Sequence, residues 1–253
     1  NKTMRLAHFA LTAAAAVAAS LPASALADLS FNAGVVSDYR YRGISQSRLK
    51  PALQGGVDYA AGGLYVGAWG STIKWIKDAG TLAGANAGST NVEIDLYGGY
   101  KGELAKDLTY DVGGLYYLYP GNKYKDIGGD NANTFELYGA LTYGPVTAKY
   151  SHAVTSVFGN PDSKNSFYLD ASATFDVGGF SVVPHVGYQK IKGPFSGPAT
   201  YTDYSLTVSR EFSGVVVSLA VVGTDADKAF YSSPVNGKEL GKSGVVLGAK
   251  VNF

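Results

Sequence analysis

Acidic side chains recur at every second position inside segments that are otherwise apolar. Glu93 and Asp95 alternate with Val92, Ile94 and Leu96, and the same placing returns at Asp111, Glu136 and Asp170. Residues two apart share one face of an extended chain, so the acids gather on one side of a sheet and the apolar residues on the other. A carboxylate on that side needs water or a cationic partner. The expected inward-facing set is Asp38, Arg40, Asp58, Glu93, Asp95, Lys101, Asp111, Glu136, Lys149, Asp170, His185, Glu211 and Lys250, with Tyr97, Tyr117, Tyr138 and Tyr168 beside them. Eight of these are carboxylates and four are basic. The chemistry this supports is attraction of cations to a wet, acid-rich surface; an alternative is that acids and bases pair across a narrow interior and fill it. A second group, Arg40, Arg42, Arg48 and Lys50, makes one connecting segment basic. Arginines of that kind bind phosphate or carboxylate groups in bidentate fashion, or pair locally with Asp38. Arg40, with Asp38 beside it, is the expected narrowest point.

Bond-making chemistry is poorly supplied. Beyond the N-terminal stretch there are two histidines, His152 and His185. Ser151 and His152 are neighbours, so on a strand their side chains point to opposite faces and cannot form a nucleophile–base pair. No catalytic residue is assigned. The absence of cysteine removes disulfides, thiolate metal sites and a thiol nucleophile. Asp126, Asp130 and Asn131 with Gly128 and Gly129, and likewise Asp225 and Asp227, read as turns rather than calcium loops. No metal or cofactor is expected. The net charge of +1, with no basic cluster of nucleic-acid type, gives no reason to expect nucleic acid as a partner.

The elements that must hold these residues are strands with a period of two. Twelve are expected, at about 29–39, 51–60, 63–72, 92–101, 108–117, 135–143, 146–157, 167–175, 180–190, 203–209, 215–224 and 243–253. Most are near the length of ~9–11 residues that a tilted strand needs to cross a bilayer. Short connections, near Ala61-Gly62, Gly102–Asp107, Gly144-Pro145, Asp176–Gly179 and Phe212–Gly214, alternate with long ones. Aromatic residues fall near strand ends, as at Phe135 and Tyr143 or Phe167 and Phe175. Together these features predict an all-β fold, an antiparallel up-and-down transmembrane barrel of twelve strands over residues 28–253. A secreted β-sandwich also alternates, but has no reason to alternate short and long connections so regularly.

Ahead of it, Lys2 and Arg5, an Ala-rich apolar run to Leu21, Pro22, and the small residues Ala25 and Ala27 predict a secretory signal peptide over residues 1–27. The last strand, Val245, Leu247, Ala249, Val251 and Phe253, alternates in the same way and finishes on an aromatic, as a strand at a membrane boundary does.

The segment Ser37-Asp38-Tyr39-Arg40-Tyr41-Arg42-Gly43-Ile44-Ser45-Gln46 resembles the TorF-type porins of Gram-negative outer membranes. Pro51 to Gly55, Gly63 to Ser71 and Asp95 to Tyr100 match as well, and so does the final strand, so the resemblance spans the chain after its leader. It implies an outer-membrane barrel with pore activity, to which the leader would send the chain through the Sec pathway; it brings no agreed solute and no catalytic residues. The expected function is a channel for passive diffusion of small hydrophilic solutes or ions, weakly cation-preferring. Its partners would be outer-membrane lipid and lipopolysaccharide, small hydrophilic solutes, and the barrel-assembly machinery, to whose assembly signal the terminal Phe253 is similar. The alternatives are a plugged structural or adhesive barrel acting through its loops, or an outer-membrane hydrolase.

Overall fold

The computed structural model describes residues 27–84, 88 and 90–253. The expected leader, apart from Ala27, lies outside them. Twelve strands run in sequence: β1 (Asp28–Val36), β2 (Ala52–Ala61), β3 (Leu64–Thr72), β4 (Val92–Ala105), β5 (Leu108–Leu118), β6 (Thr134–Tyr143), β7 (Val146–Ala153), β8 (Phe167–Ala173, continued as Phe175–Val177), β9 (Phe180–Lys190), β10 (Tyr201–Phe212), β11 (Val215–Thr224) and β12 (Gly244–Asn252). Each pairs antiparallel with its chain neighbours, and β12 returns to β1 with Ala33 opposite Val251 and Val35 opposite Ala249, closing a twelve-stranded barrel. Closure leaves no sheet edge, so every strand finds its backbone partners within the ring. At the seam Phe31 and Phe253 exchange backbone hydrogen bonds of 2.7 and 3.0 Å and stack with ring centroids 5.9 Å apart.

Alternation decides which way each side chain points. Leu53, Val66, Leu96, Val112, Leu137, Leu169, Val186, Leu206, Leu219 and Leu247 are all exposed on the outer wall, an apolar belt that water does not tolerate at this size. Aromatic rings edge the belt. Tyr100 and Tyr110 pair 6.1 Å apart near the short turns, and Tyr150, Phe167 and Tyr188 form a row near the long loops, at 5.7 and 6.2 Å. Rings at both rims of an apolar band suit a lipid–water boundary.

Inside, glycines face tyrosines. A Cβ added to Gly67 would meet the Tyr97 ring at 2.5 Å, one on Gly99 the Tyr65 hydroxyl at 2.4 Å, and one on Gly113 the Tyr138 hydroxyl at 2.5 Å. Each ring lies flat over a neighbouring strand where that strand has no side chain.

The turn expected over Gly102–Asp107 is shorter. β4 continues to Ala105 through a bulge between Glu103 and Ala105, and Gly102 sits under the Tyr110 ring, 2.9 Å from where its Cβ would be. β7 and β10 also differ at their ends: β7 stops at Ala153, and β10 runs from Tyr201 to Phe212. All the long connections leave from one end of the barrel. Residues 37–51 fold back as a hairpin in which Arg40 pairs with Ser45 and Tyr41 with Ile44. The next long connection begins with α1 (Trp75–Leu82), and the third contains a 3-10 turn, Tyr124–Ile127.

Candidate functional site

The hairpin of residues 37–51 turns at Arg42 and Gly43, with φ of +46° and +78°. Two successive left-handed residues make the tight turn that suits antiparallel strands, and Asn-Gly or Gly-Gly is the usual choice for it. Arginine in the first place carries a steric cost of about 1–2 kcal/mol. The outlier is informative, because strained residues cluster where a particular side chain must be aimed.

Arg42 is aimed into the barrel. Its Nη1 and Nη2 donate to Glu136 Oε1 and Oε2 at 3.1 and 2.7 Å, and Nη1 also donates to Gln189 Oε1 at 2.5 Å. The guanidinium lies over the Tyr168 ring at 4.2 Å and the Tyr41 ring at 4.8 Å. Its side chain is 7% exposed and that of Glu136 2%. A buried bidentate pair with extra acceptors and flat ring faces is the arrangement in which a guanidinium offsets its lost hydration.

Other hairpin residues fasten it. Arg40 donates from Nε to Asp38 at 2.5 Å and from Nη1 to the carbonyls of Gly43, Leu240 and Lys242 at 2.9, 3.1 and 3.0 Å. Asp38 also accepts from Ser45 and Ser47. Arg48 holds Asp78 of α1 by two hydrogen bonds, Nε to Oδ2 and Nη2 to Oδ1; the Asp78 carboxylate raises the Arg48 guanidinium above its ordinary pKa. Tyr39 donates to Glu93 at 2.5 Å, and Tyr41 and Tyr117 share a hydroxyl contact of 2.6 Å. The first loop is thus seated against the wall at the loop end of the barrel.

The acids beside it are unevenly served. Glu93 accepts from Tyr39 and Tyr119, and Glu136 from Arg42 and Tyr117. Asp95, fully buried, has no hydrogen-bond partner on either oxygen among the described residues. Half-way down, Asp170, His185, Asp203 and Tyr168 form one cluster. His185 Nε2 lies 3.0 Å from Asp170 and Nδ1 lies 3.6 Å from Asp203, to which Tyr168 donates at 2.9 Å. A cavity of about 120 Å³ adjoins this cluster and is bordered by Tyr41, Arg42, Tyr117 and Thr207; that is room for a few waters. Toward the short turns, Tyr97 donates to Asp58 and Tyr65 to Asp111, at 2.5 and 2.6 Å. Lys101 Nζ lies 5.6 Å from the centre of the Tyr65 ring and Lys149 Nζ 4.1 Å from that of Tyr138. Lys250 stands in register with inward-facing Val216. Glu211 is exposed at the turn-end mouth.

Several positions differ from the sequence expectation. Asp38 and Arg40 lie in the first loop rather than on a barrel strand. Arg40 ties the first loop to the last long loop, and Arg42 is the loop residue that reaches the side chains of the barrel wall. Three of the four basic loop residues, Arg40, Arg42 and Arg48, are bound to carboxylates, and Lys50 alone is freely exposed. Asp203 and Gln189 were absent from the expected set, although alternation along β9 and β10 puts both on the inner phase with His185 and Ser205.

The remaining polar groups have local duties. His152 faces outward between Tyr150 and Asn165, at 2.9 and 3.2 Å, while Ser151 is buried inside. Asp130 accepts from Ser156 and from the Asp162 amide. Asp225 and Asp227 accept from the Thr202 and Phe230 amides. These carboxylates cap turns.

A family profile described as "Bacterial protein of unknown function (Gcw_chp)" matches residues 20–253. No curated protein matches the sequence. Among solved structures, the barrel is similar to the NanC porin, with 12% identity, a TM-score of 0.52, and coverage of 89% of this chain and 99% of that one. A KdgM porin in complex with disordered oligogalacturonate scores 0.48 at 6% identity, covering 90% and 96%. An outer membrane channel from Pseudomonas putida F1 also scores 0.48, at 12% identity, covering 92% and 96%. At such identities the likeness is one of fold.

Proposed function

Since the chain belongs to the Gcw_chp family, whose description assigns no activity, we propose from its geometry that it is a porin-like channel of the Gram-negative outer membrane. In this reading residues 1–27 direct export through the Sec pathway. The barrel passes small hydrophilic solutes or ions by diffusion, with a weak preference for cations, and no chemical step occurs. The resemblance to TorF-type porins and the porin-like fold support it. The observation that carries it is a closed barrel, apolar outside, whose inner wall holds more acid than base. Asp58, Glu93, Asp95, Asp111, Glu136, Asp170 and Asp203 face Arg42, Lys101, Lys149 and Lys250, with His185 between two of the acids. A surplus of carboxylates in a confined space raises the local concentration of cations.

The rival reading is a plugged barrel acting through its loops. It is favoured by the inward-folded first loop and by the small volume of the cavity beneath it.

Single-channel recording of refolded protein in a planar bilayer under a salt gradient separates the two. Discrete steps with a cation-directed reversal potential are expected, and charge reversal at Asp95, Glu136 and Asp170 should move that potential toward anions. Anion-directed steps would keep the channel and overturn its selectivity. Silence from folded barrels, in the parent and after removal of Arg42, would overturn the channel.

A further inference from the structure

We propose that the cage now filled by Arg42 is a binding site for solutes bearing a guanidinium group, and that the first loop occupies it as a tethered substitute. Transport through this site rests on the channel reading; binding at it does not.

The cage is built mostly from the wall rather than from the loop. Glu136 on β6, Gln189 on β9 and Tyr168 on β8 belong to barrel strands, and only Tyr41 moves with the hairpin. Each wall member is oriented by contacts that exclude Arg42. Gln189 Nε2 donates to the Phe167 carbonyl at 3.0 Å, which points its Oε1 at the guanidinium. Tyr168 is held by its hydroxyl on Asp203 at 2.9 Å, leaving its ring face to the cation. Tyr117 donates to Glu136 Oε2 at 3.2 Å. The acceptors are therefore pre-aimed, so a ligand need not order them.

Their geometry selects a planar fork. A carboxylate engaged by two nitrogens, an amide oxygen sharing one of them, and a ring face 4.2 Å from the guanidinium carbon match guanidinium at every point. A compact ammonium is a point charge that cannot make the paired contact and stack at the same time. Ligand access is supplied by the adjoining cavity, which Arg42 itself borders. The left-handed φ at Arg42 shows that the loop holds arginine there against backbone preference.

A tethered group competes at an effective concentration on the order of mM, so removing it should lower the half-saturating concentration of a free competitor by roughly tenfold or more. The test uses the full barrel refolded in detergent micelles, with methylguanidinium as the probe and methylammonium as the control. In Arg42→Ala, methylguanidinium should bind saturably by calorimetry and raise the unfolding midpoint. Methylammonium should do so at least about tenfold less effectively. The parent should respond weakly, and Arg42→Ala/Glu136→Gln not at all. Arg42→Lys, which keeps a cation on the loop, serves if the alanine variant does not fold, and should show the same ranking at higher concentrations. Equal response to the two probes, or a response that survives Glu136→Gln, overturns the proposal. Bilayer currents then separate it from the channel reading. Saturable binding without current defeats the channel and keeps the site; current without guanidinium preference defeats the site and keeps the channel.

Discussion

Cutting Arg42 back to alanine tests how the first loop is seated. The change removes three hydrogen bonds and leaves Glu136, itself 1% exposed, with a single phenol donor 3.2 Å away. Breaking a buried ion pair from one side costs about 3–5 kcal/mol in a dry interior. Here a cavity of about 120 Å³ adjoins the pair, so water reaches the stranded carboxylate and the expected loss is nearer 2–3 kcal/mol. Two companion variants sharpen the test. Arg42→Gly loses the same contacts but accepts a φ of +46° freely, and should be about 1 kcal/mol more stable than Arg42→Ala. Arg42→Ala/Glu136→Gln removes both charges, and should be less destabilised than the sum of its parts by about 1–3 kcal/mol. Urea unfolding in micelles reads these four proteins and Glu136→Gln alone, which completes the cycle, with fluorescence from Trp69, packed 5.5 Å from Tyr39 of the loop, and Trp75, packed 5.1 Å from Tyr119, as the probe. Arg42→Ala within about 0.5 kcal/mol of the parent, with additive effects in the cycle, would refute the reasoning.

Arg48→Ala strands Asp78, which is 2% exposed, and should cost about 1–2 kcal/mol while making the first loop easier to cut in limited proteolysis. Leu206→Arg puts a charge in the middle of the apolar belt and should destabilise the barrel in lipid vesicles by about 2–4 kcal/mol, measured by urea unfolding. Gly99→Ala drives a methyl to 2.4 Å from the Tyr65 hydroxyl and 2.5 Å from the Val112 carbonyl, so it should cost about 1–3 kcal/mol and reduce single-channel conductance as the ring swings inward.

The strands were legible because each has one greasy and one wet face, and a period of two survives in the sequence without knowledge of any partner. Val92 to Lys101 and Phe135 to Tyr143 are clear for that reason. Where glycine interrupts, the pattern misleads: Gly102 reads as a turn, yet it is a seat for Tyr110 within a longer strand. The interior acids were legible in the same way, and Asp203 was within reach by counting back two from Ser205. What alternation cannot reach is the fold of a loop. Arg42 finds Glu136 94 residues away and Gln189 147 away, on strands whose angular positions exist only once the ring has closed. Nor does spacing reveal that Arg40, on the same segment, bonds to carbonyls two hundred residues further on.

The tyrosines that lie flat over Gly67, Gly99 and Gly113 make composition and calibre a single property of this protein. The bore of the barrel is governed there by residues that have no side chain at all. Any mutation that fills one of those seats tips a ring toward the axis, and so behaves as though a bulky group had been added to the neighbouring strand. The interior is in this sense shaped by its blanks, and if the barrel conducts, substitutions that look smallest on paper should narrow it.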